Sequence, residues 1–298
     1  MSEAIVSEGS GAHVRFSDEL NDDQRESVTK SVDALVARSR ARYAAITSDE
    51  EARAAFYAPH ARLVEEDATA GKALAEVQAR RKARFQDLRF ADEWSALKPD
   101  IVPIFGGSDA PGIQVFPLPY HFAWEWHNGN APGVSMSDRL DGNIRIAAGV
   151  SDDRDRTDSH AGVGVFLETN VPRAVIGRSL RKSDHEWLAA AGGFGGDATA
   201  EGGLEMTALE DGRFLDAAAD KRFRRRVSDG ESASQLFEGG LATGNPLELT
   251  WTMQPNKGYT FNVGAWVFCE QHFGFGAGGF SYASAEIRAQ VIVLTVSE

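Results

Sequence analysis

From Pro99 to Glu298 the sequence has no apolar stripe at three- and four-residue spacing; short apolar segments alternate with glycines and turn dipeptides. That pattern admits an antiparallel β architecture and excludes a parallel α/β fold, which needs a helix between successive strands. Strands are expected at residues 113–116, 120–127, 143–150, 163–169, 174–180, 204–209, 213–217, 247–253, 259–268 and 286–296. Asn128-Gly129, Asp141-Gly142 and Asp211-Gly212 are dipeptides that tight hairpins favour, because both central residues take positive φ. The clearest hairpin joins 247–253 to 259–263 through Gln254-Pro255-Asn256-Lys257-Gly258. About ten short strands in roughly 200 residues point to an antiparallel β-sandwich or jelly roll.

The first third reads differently. Residues 1–19 are rich in Ser, Glu and Gly without periodicity and are expected to form a flexible tail. Asn21 followed by Gln24 is a capping-box pattern, and Asp22 and Asp23 lie in the first turn, where the helix dipole favours negative charge. Val28, Val32, Leu35, Val36, Tyr43 and Ile46 then form one apolar stripe. Ser48 and Glu51 repeat the capping pattern, Pro59 interrupts the second helix, and a stripe of Leu74, Val77, Phe85 and Leu88 continues toward Pro99. Neither stripe keeps a strict heptad over three or four repeats, which leaves a coiled-coil stalk open without establishing one. Two such helices can cover each other as a hairpin, or pack on the β region or on a neighbouring subunit. The expected organisation is α+β by segregation: a tail over 1–19, a helical hairpin or stalk over 20–98, and a large antiparallel β-sandwich or jelly-roll domain over 99–298.

Charge narrows the partners. With 31 basic and 44 acidic residues the formal charge is -13, which repels phosphate backbones and anionic membranes, so nucleic acid is not expected as a partner. No apolar run reaches the ~18 residues of a membrane span, and the first residues lack the basic and apolar regions of a signal peptide, so cytoplasmic synthesis is expected. The one cysteine, Cys269, follows Trp266-Val267-Phe268; it allows no intrachain disulfide and reads as a buried, inert thiol.

Residues 120–127 carry the most chemistry. Strand alternation puts Phe122, Trp124 and Trp126 on one face, as core, and His121, Ala123, Glu125 and His127 on the other. Two imidazoles and a carboxylate on one strand face are ligand types that suit a divalent metal, with further ligands to come from His160, His185 or His272. The other reading is an ordinary solvated strand face. Arg222, Arg224 and Arg226 would share a strand face and grip an anion or an acidic partner surface. Trp187 and Phe194, beside Gly192-Gly193, are candidate ligand contacts. Residues 274–279 match GxGxxG but precede a strand rather than a helix, so they read as a loop or bulge, not a dinucleotide site.

Nucleophilic catalysis finds no support: there is no GxSxG elbow and no catalytic-cysteine context. The reading that follows is a non-enzymatic structural or binding protein, a β-sandwich head with a helical assembly region that forms a homo-oligomer or joins other subunits of an assembly. A metal-dependent enzyme using His121, Glu125 and His127 is the alternative, and a carbohydrate-binding module using Trp187 is the third.

Overall fold

The computed structural model describes residues 5–41, 112–128, 134–150, 156–194, 196–228, 231–237, 247–272 and 275–298, with residues 68, 69, 72 and 76; side chains 193, 194 and 275–280 are outside the description. In order the strands are β1 (Ile5–Val6), β2 (His13–Phe16), β3 (Ile113–Phe116), β4 (Phe122–His127), β5 (Val134–Ser137), β6 (Asn143–Val150) and β7 (Arg156–Leu167). β8 (Arg173–Phe194), β9 (Asp197–Glu210), β10 (Arg213–Ser228), β11 (Ser232–Phe237), β12 (Glu248–Met253), β13 (Tyr259–His272) and β14 (Phe275–Ser297) follow. Among the described residues one continuous helix, α1, spans residues 22–41.

The pairings are antiparallel and make two sheets. One runs β1-β2-β4-β7-β13-β9-β10; the other runs β11-β8-β14-β6-β5, with β12 beside β8 and β3 beside β14. Alternate residues of both sheets meet in a single apolar core: Val163, Val165, Tyr259, Phe261 and Met206 from the first, Ile144, Ile146, Trp187, Leu249, Trp251 and Ile287 from the second. Ser135 and Ser137 fasten the β5 side, since Ser135 Oγ donates to the His160 carbonyl at 2.8 Å and Ser137 Oγ to the Trp124 carbonyl at 2.9 Å.

A second core lies on the opposite face of the first sheet. Val28, Val32, Leu35 and Val36 of α1 pack with Val14 and Phe16 of β2, Phe122, Trp124 and Trp126 of β4, Phe166 and Leu209. The helix begins where its cap dictates: Asn21 N–H donates to Gln24 Oε1 at 3.1 Å and Gln24 N–H to Asn21 Oδ1 at 3.0 Å, so two amides without helical partners are satisfied reciprocally. Ser27 Oγ to Asp211 Oδ1 (2.7 Å) and Ser31 Oγ to Thr260 Oγ1 (3.1 Å) tie it to the sheet, and Arg40 lies over the Trp126 ring at 5.6 Å. The indole of Trp124 fits because residue 162 is glycine: a Cβ there would stand 2.8 Å from Trp124 Nε1 and 2.7 Å from Asn262 Oδ1.

Several expectations are revised. Residues 5–16, read as a tail, supply β1 and β2. The aromatic face of β4 is core, as expected, and the core it joins lies beneath α1. Of the helical hairpin only α1 is defined, and its stripe is spent on the sheet; apart from residues 68, 69, 72 and 76, which have helical backbone, the second helix lies outside the described residues. Asp211 (φ 47°) and Gly212 (φ 83°) turn β9 into β10 as the dipeptide requires. Residues 247–263 are not a hairpin: β12 pairs with β8 in one sheet and β13 with β7 and β9 in the other. Leu249, Trp251 and Met253 point into the core from one side and Tyr259, Phe261 and Val263 from the other, so alternation is satisfied while the chain crosses between sheets.

Candidate functional site

β4 divides as its alternation requires, but its polar face does not converge. His121, just before the strand, accepts a hydrogen bond at Nδ1 from the Phe166 amide (3.0 Å) and meets the Phe116 ring edge-on. Glu125 Oε1 is paired with Arg15 Nη2 at 2.8 Å, and its Oε2 accepts from the Ser137 amide at 3.3 Å. Arg15 Nη1 donates to the Ser137 carbonyl at 3.3 Å, so this ion pair occupies both main-chain groups that Ser137 directs away from β6 and blunts the β5 edge. His127 is exposed.

The further histidines lie elsewhere. His160, on the α1 side of the sheet, stands 3.0 Å from Glu205 and 3.3 Å from Ser39 Oγ. His272 is 3.6 Å from Glu270, and His185 is on β8 in the other sheet. The expected ligands thus have separate surroundings, and among the described residues no three or more His, Cys, Asp or Glu side chains are grouped to hold a metal ion.

Burial holds the His121 imidazole below its ordinary pKa, with Glu19 pulling back. The unfolded chain therefore binds this proton more tightly than the folded one. Stability is complete above about pH 6.5 and declines as pH falls below it. The urea midpoint should drop between about pH 7 and pH 5, and less steeply in His121→Gln, whose amide oxygen accepts from Phe166 without titrating. Equal slopes for the two proteins would remove His121 from the account.

The arginine run does not share a face. The β10–β9 register shifts between Lys221 and Phe223, which makes Arg222 the extra residue of a bulge. Arg224 and Arg226 pair with Glu201 (3.4 Å) and Asp197 (2.8 Å) of β9, whereas Arg222 pairs with Asp220 (2.9 Å). Asp220 also stands 3.8 Å from Arg181 of the opposite sheet, so Arg222 turns between the sheets. Trp187 is no exposed platform: it is 9% exposed, lies in the central core, and donates from Nε1 to Gln235 at 3.3 Å. Phe194 ends β8, with its side chain outside the described residues. Cys269 is buried, its thiol pushed up by burial and directed at the Ala148 carbonyl.

What the sequence did not signal is a groove of about 710 Å³ along β5 and the turn that follows it. Met136 and Leu140, each 57% exposed, stand at its rim, with Val134 (37%) next along β5. Arg15, Arg139 and Arg145 alternate there with Glu125, Asp138 and Asp141, three charges of each sign. Arg145 Nε is 3.0 Å from Glu286 of β14, while Asp138 and Asp141 cap the amides of Leu140 (2.8 Å) and Asn143 (2.9 Å). The groove therefore combines exposed apolar side chains with guanidinium and carboxylate groups of both signs.

No family model and no curated protein matches the chain. Among solved structures it is similar to the CBM22-1 xylan-binding domain of Xyn10C from Paenibacillus barcinonensis, at 9% identity over 56% of this chain and 85% of that one, with a TM-score of 0.15. It is similar at 9% identity to a chain of infectious bursal disease virus strain Gx, over 65% of this chain and 43% of that one, with a TM-score of 0.15. Similarity to the GH31 α-xylosidase of Xanthomonas citri covers 63% of this chain and 20% of that one, at 7% identity and a TM-score of 0.12.

Proposed function

We propose that the protein is a non-enzymatic structural subunit, and that the β5 groove binds a second copy of the chain. The observation that carries this reading is the pairing of exposed Met136 and Leu140 with a rim of three arginines and three carboxylates. Large apolar side chains held in water are favourable to cover, and methionine and arginine are enriched in interfaces. A copy is the occupant because of charge. A chain of formal charge -13 repels itself over most of its surface, but the groove is locally balanced, so two copies approach there at the least electrostatic cost. A rim bearing both signs is also self-complementary, as a twofold contact demands: an arginine of one copy can face an aspartate of the other. Assembly is thereby assigned to the sandwich and not to α1, whose apolar stripe is covered by the sheet.

Size exclusion with light scattering tests this. The full chain is expected to be oligomeric, and the double variant Met136→Asp, Leu140→Asp to be a monomer. Both positions are exposed, so the unfolding temperature should move by no more than about 2 °C. A wild-type monomer at every concentration, or a variant that keeps the oligomeric mass, would overturn the proposal.

A further inference from the structure

Between the sheets, away from the groove, the inner face of β8 departs from the apolar rule. Val175 and Trp187 face the core, but between them Arg181, Ser183 and His185 are buried at 2%, 3% and 7% exposure. Opposite them the bulge in β10 turns Arg222 inward beside Asp220. One oxygen, Asp220 Oδ2, serves two guanidinium groups, 2.9 Å from Arg222 Nη2 and 3.8 Å from Arg181 Nη2. Arg181 Nη1 donates to Ser179 Oγ at 3.2 Å, and that hydroxyl lies 3.2 Å from Met206 Sδ. Two guanidinium groups thus share one carboxylate at the margin of the space between the sheets, with Arg181 buried and the side chains of Arg222 and Asp220 20% and 36% exposed.

Three nitrogens are left over. Arg181 Nε, Arg222 Nε and His185 Nδ1 are buried without a hydrogen-bond partner. Buried donors are nearly always satisfied, so three such nitrogens call for an acceptor. The His185 ring is held between Phe223 (5.2 Å, 24°) and Phe237 (5.0 Å, 21°), which fixes the plane in which its nitrogens point. Phe237, 43% exposed at the end of β11, stands at the solvent side of this stack. Burial first and Arg222 second lower the basicity of His185, with Asp184 pulling back, which places these groups in one electrostatic neighbourhood.

We propose that Arg181, His185 and Arg222 form a binding site for a small oxyanion, balanced by Asp220 and walled by Phe223 and Phe237. A guanidinium offers two parallel N–H groups to such an anion, and His185 adds a third donor from its Nδ1–H tautomer. The site is independent of self-association through the groove.

Titration calorimetry of the full chain with sodium sulfate, and separately with sodium acetate, against a chloride background tests it. Saturable one-to-one binding of sulfate is expected. It should weaken at least tenfold in Arg222→Gln and stay unchanged in Arg224→Gln, whose guanidinium pairs with Glu201 on the other face of β10. Acetate binding with the same dependence on Arg222 would assign the site to a carboxylate group and sulfate binding alone to a tetrahedral oxyanion; both support the proposal. A measurement on the wild-type chain guards against a variant that fails to fold: the Nε–H resonances of Arg181 and Arg222 should shift in proportion to sulfate occupancy. No saturable binding of either anion, or undiminished binding in folded Arg222→Gln, overturns the proposal.

Discussion

A chain beginning at Pro99 is expected to lose its cooperative unfolding transition and to aggregate. The deletion removes β1, β2 and α1, and so uncovers Phe122 and Trp124, both 0% exposed, and Trp126, 6% exposed. At about 25 cal/mol per Å² and ~150–250 Å² for each ring, exposing three aromatic side chains forfeits on the order of 10 kcal/mol, comparable to the whole stability of an ordinary domain. Losing β2 also leaves β4 as an open edge beside those rings, a template for pairing with other chains. Thermal scans and light scattering of the truncated chain check the prediction. A soluble product with a sharp transition would mean that the helix and first strands are an appendage and not part of the fold.

Trp124→Ala should be the most damaging single substitution in that second core. The side chain is fully buried, its ring meets His160 edge-on at 4.7 Å, and its Nε1–H donates to Asn262 Oδ1 at 2.7 Å. Truncation leaves a cavity and removes the donor from a buried amide, which together cost about 3–5 kcal/mol. That corresponds to a fall of about 6–20 °C in unfolding temperature at this chain size. Trp124→Phe keeps most of the ring and loses the hydrogen bond, so its loss should be nearer 1–2 kcal/mol. Equal losses for the two variants would show that the hydrogen bond, and not the packing, carries the cost.

The parts of the fold legible in the sequence include short apolar segments set between turn signals. Residues 113–116 and 143–150 are strands within the bounds expected for them. β8 extends to Phe194, well past the expected end at 180, because Arg181, Ser183 and His185 occupy inward positions where the apolar rule demands carbon. The same departure that hid the strand marks the anion site, and an R-x-S-x-H run between Val175 and Trp187 was the available signal. In β10 a one-residue bulge changes the phase of the arginine run, which no count of positions reveals. For β12 and β13, alternation reports which face is buried and not which strand supplies the hydrogen bonds, so a crossing between sheets has the pattern of a hairpin.

The candidate groove was legible only in part. Glu125 could be placed on the face opposite Phe122, Trp124 and Trp126, but its partner Arg15 lies 110 residues earlier, in a segment of four alternating residues too short to stand out from a tail. Met136 and Leu140 are unremarkable singly; their value comes from the turn at 138–141, which sets them on one rim.

The same features allow a direct test of the contact between copies. Cys269 is the chain's one cysteine and is buried, so a thiol introduced at the surface reacts without background. Leu140→Cys and Val171→Cys would be treated with a short bismaleimide at equal protein concentration; Val171 is 50% exposed and serves as the control surface. The account predicts a covalent dimer in high yield from Leu140→Cys and only collisional traces from Val171→Cys. Equal, low yields from both would contradict assembly through the β5 groove.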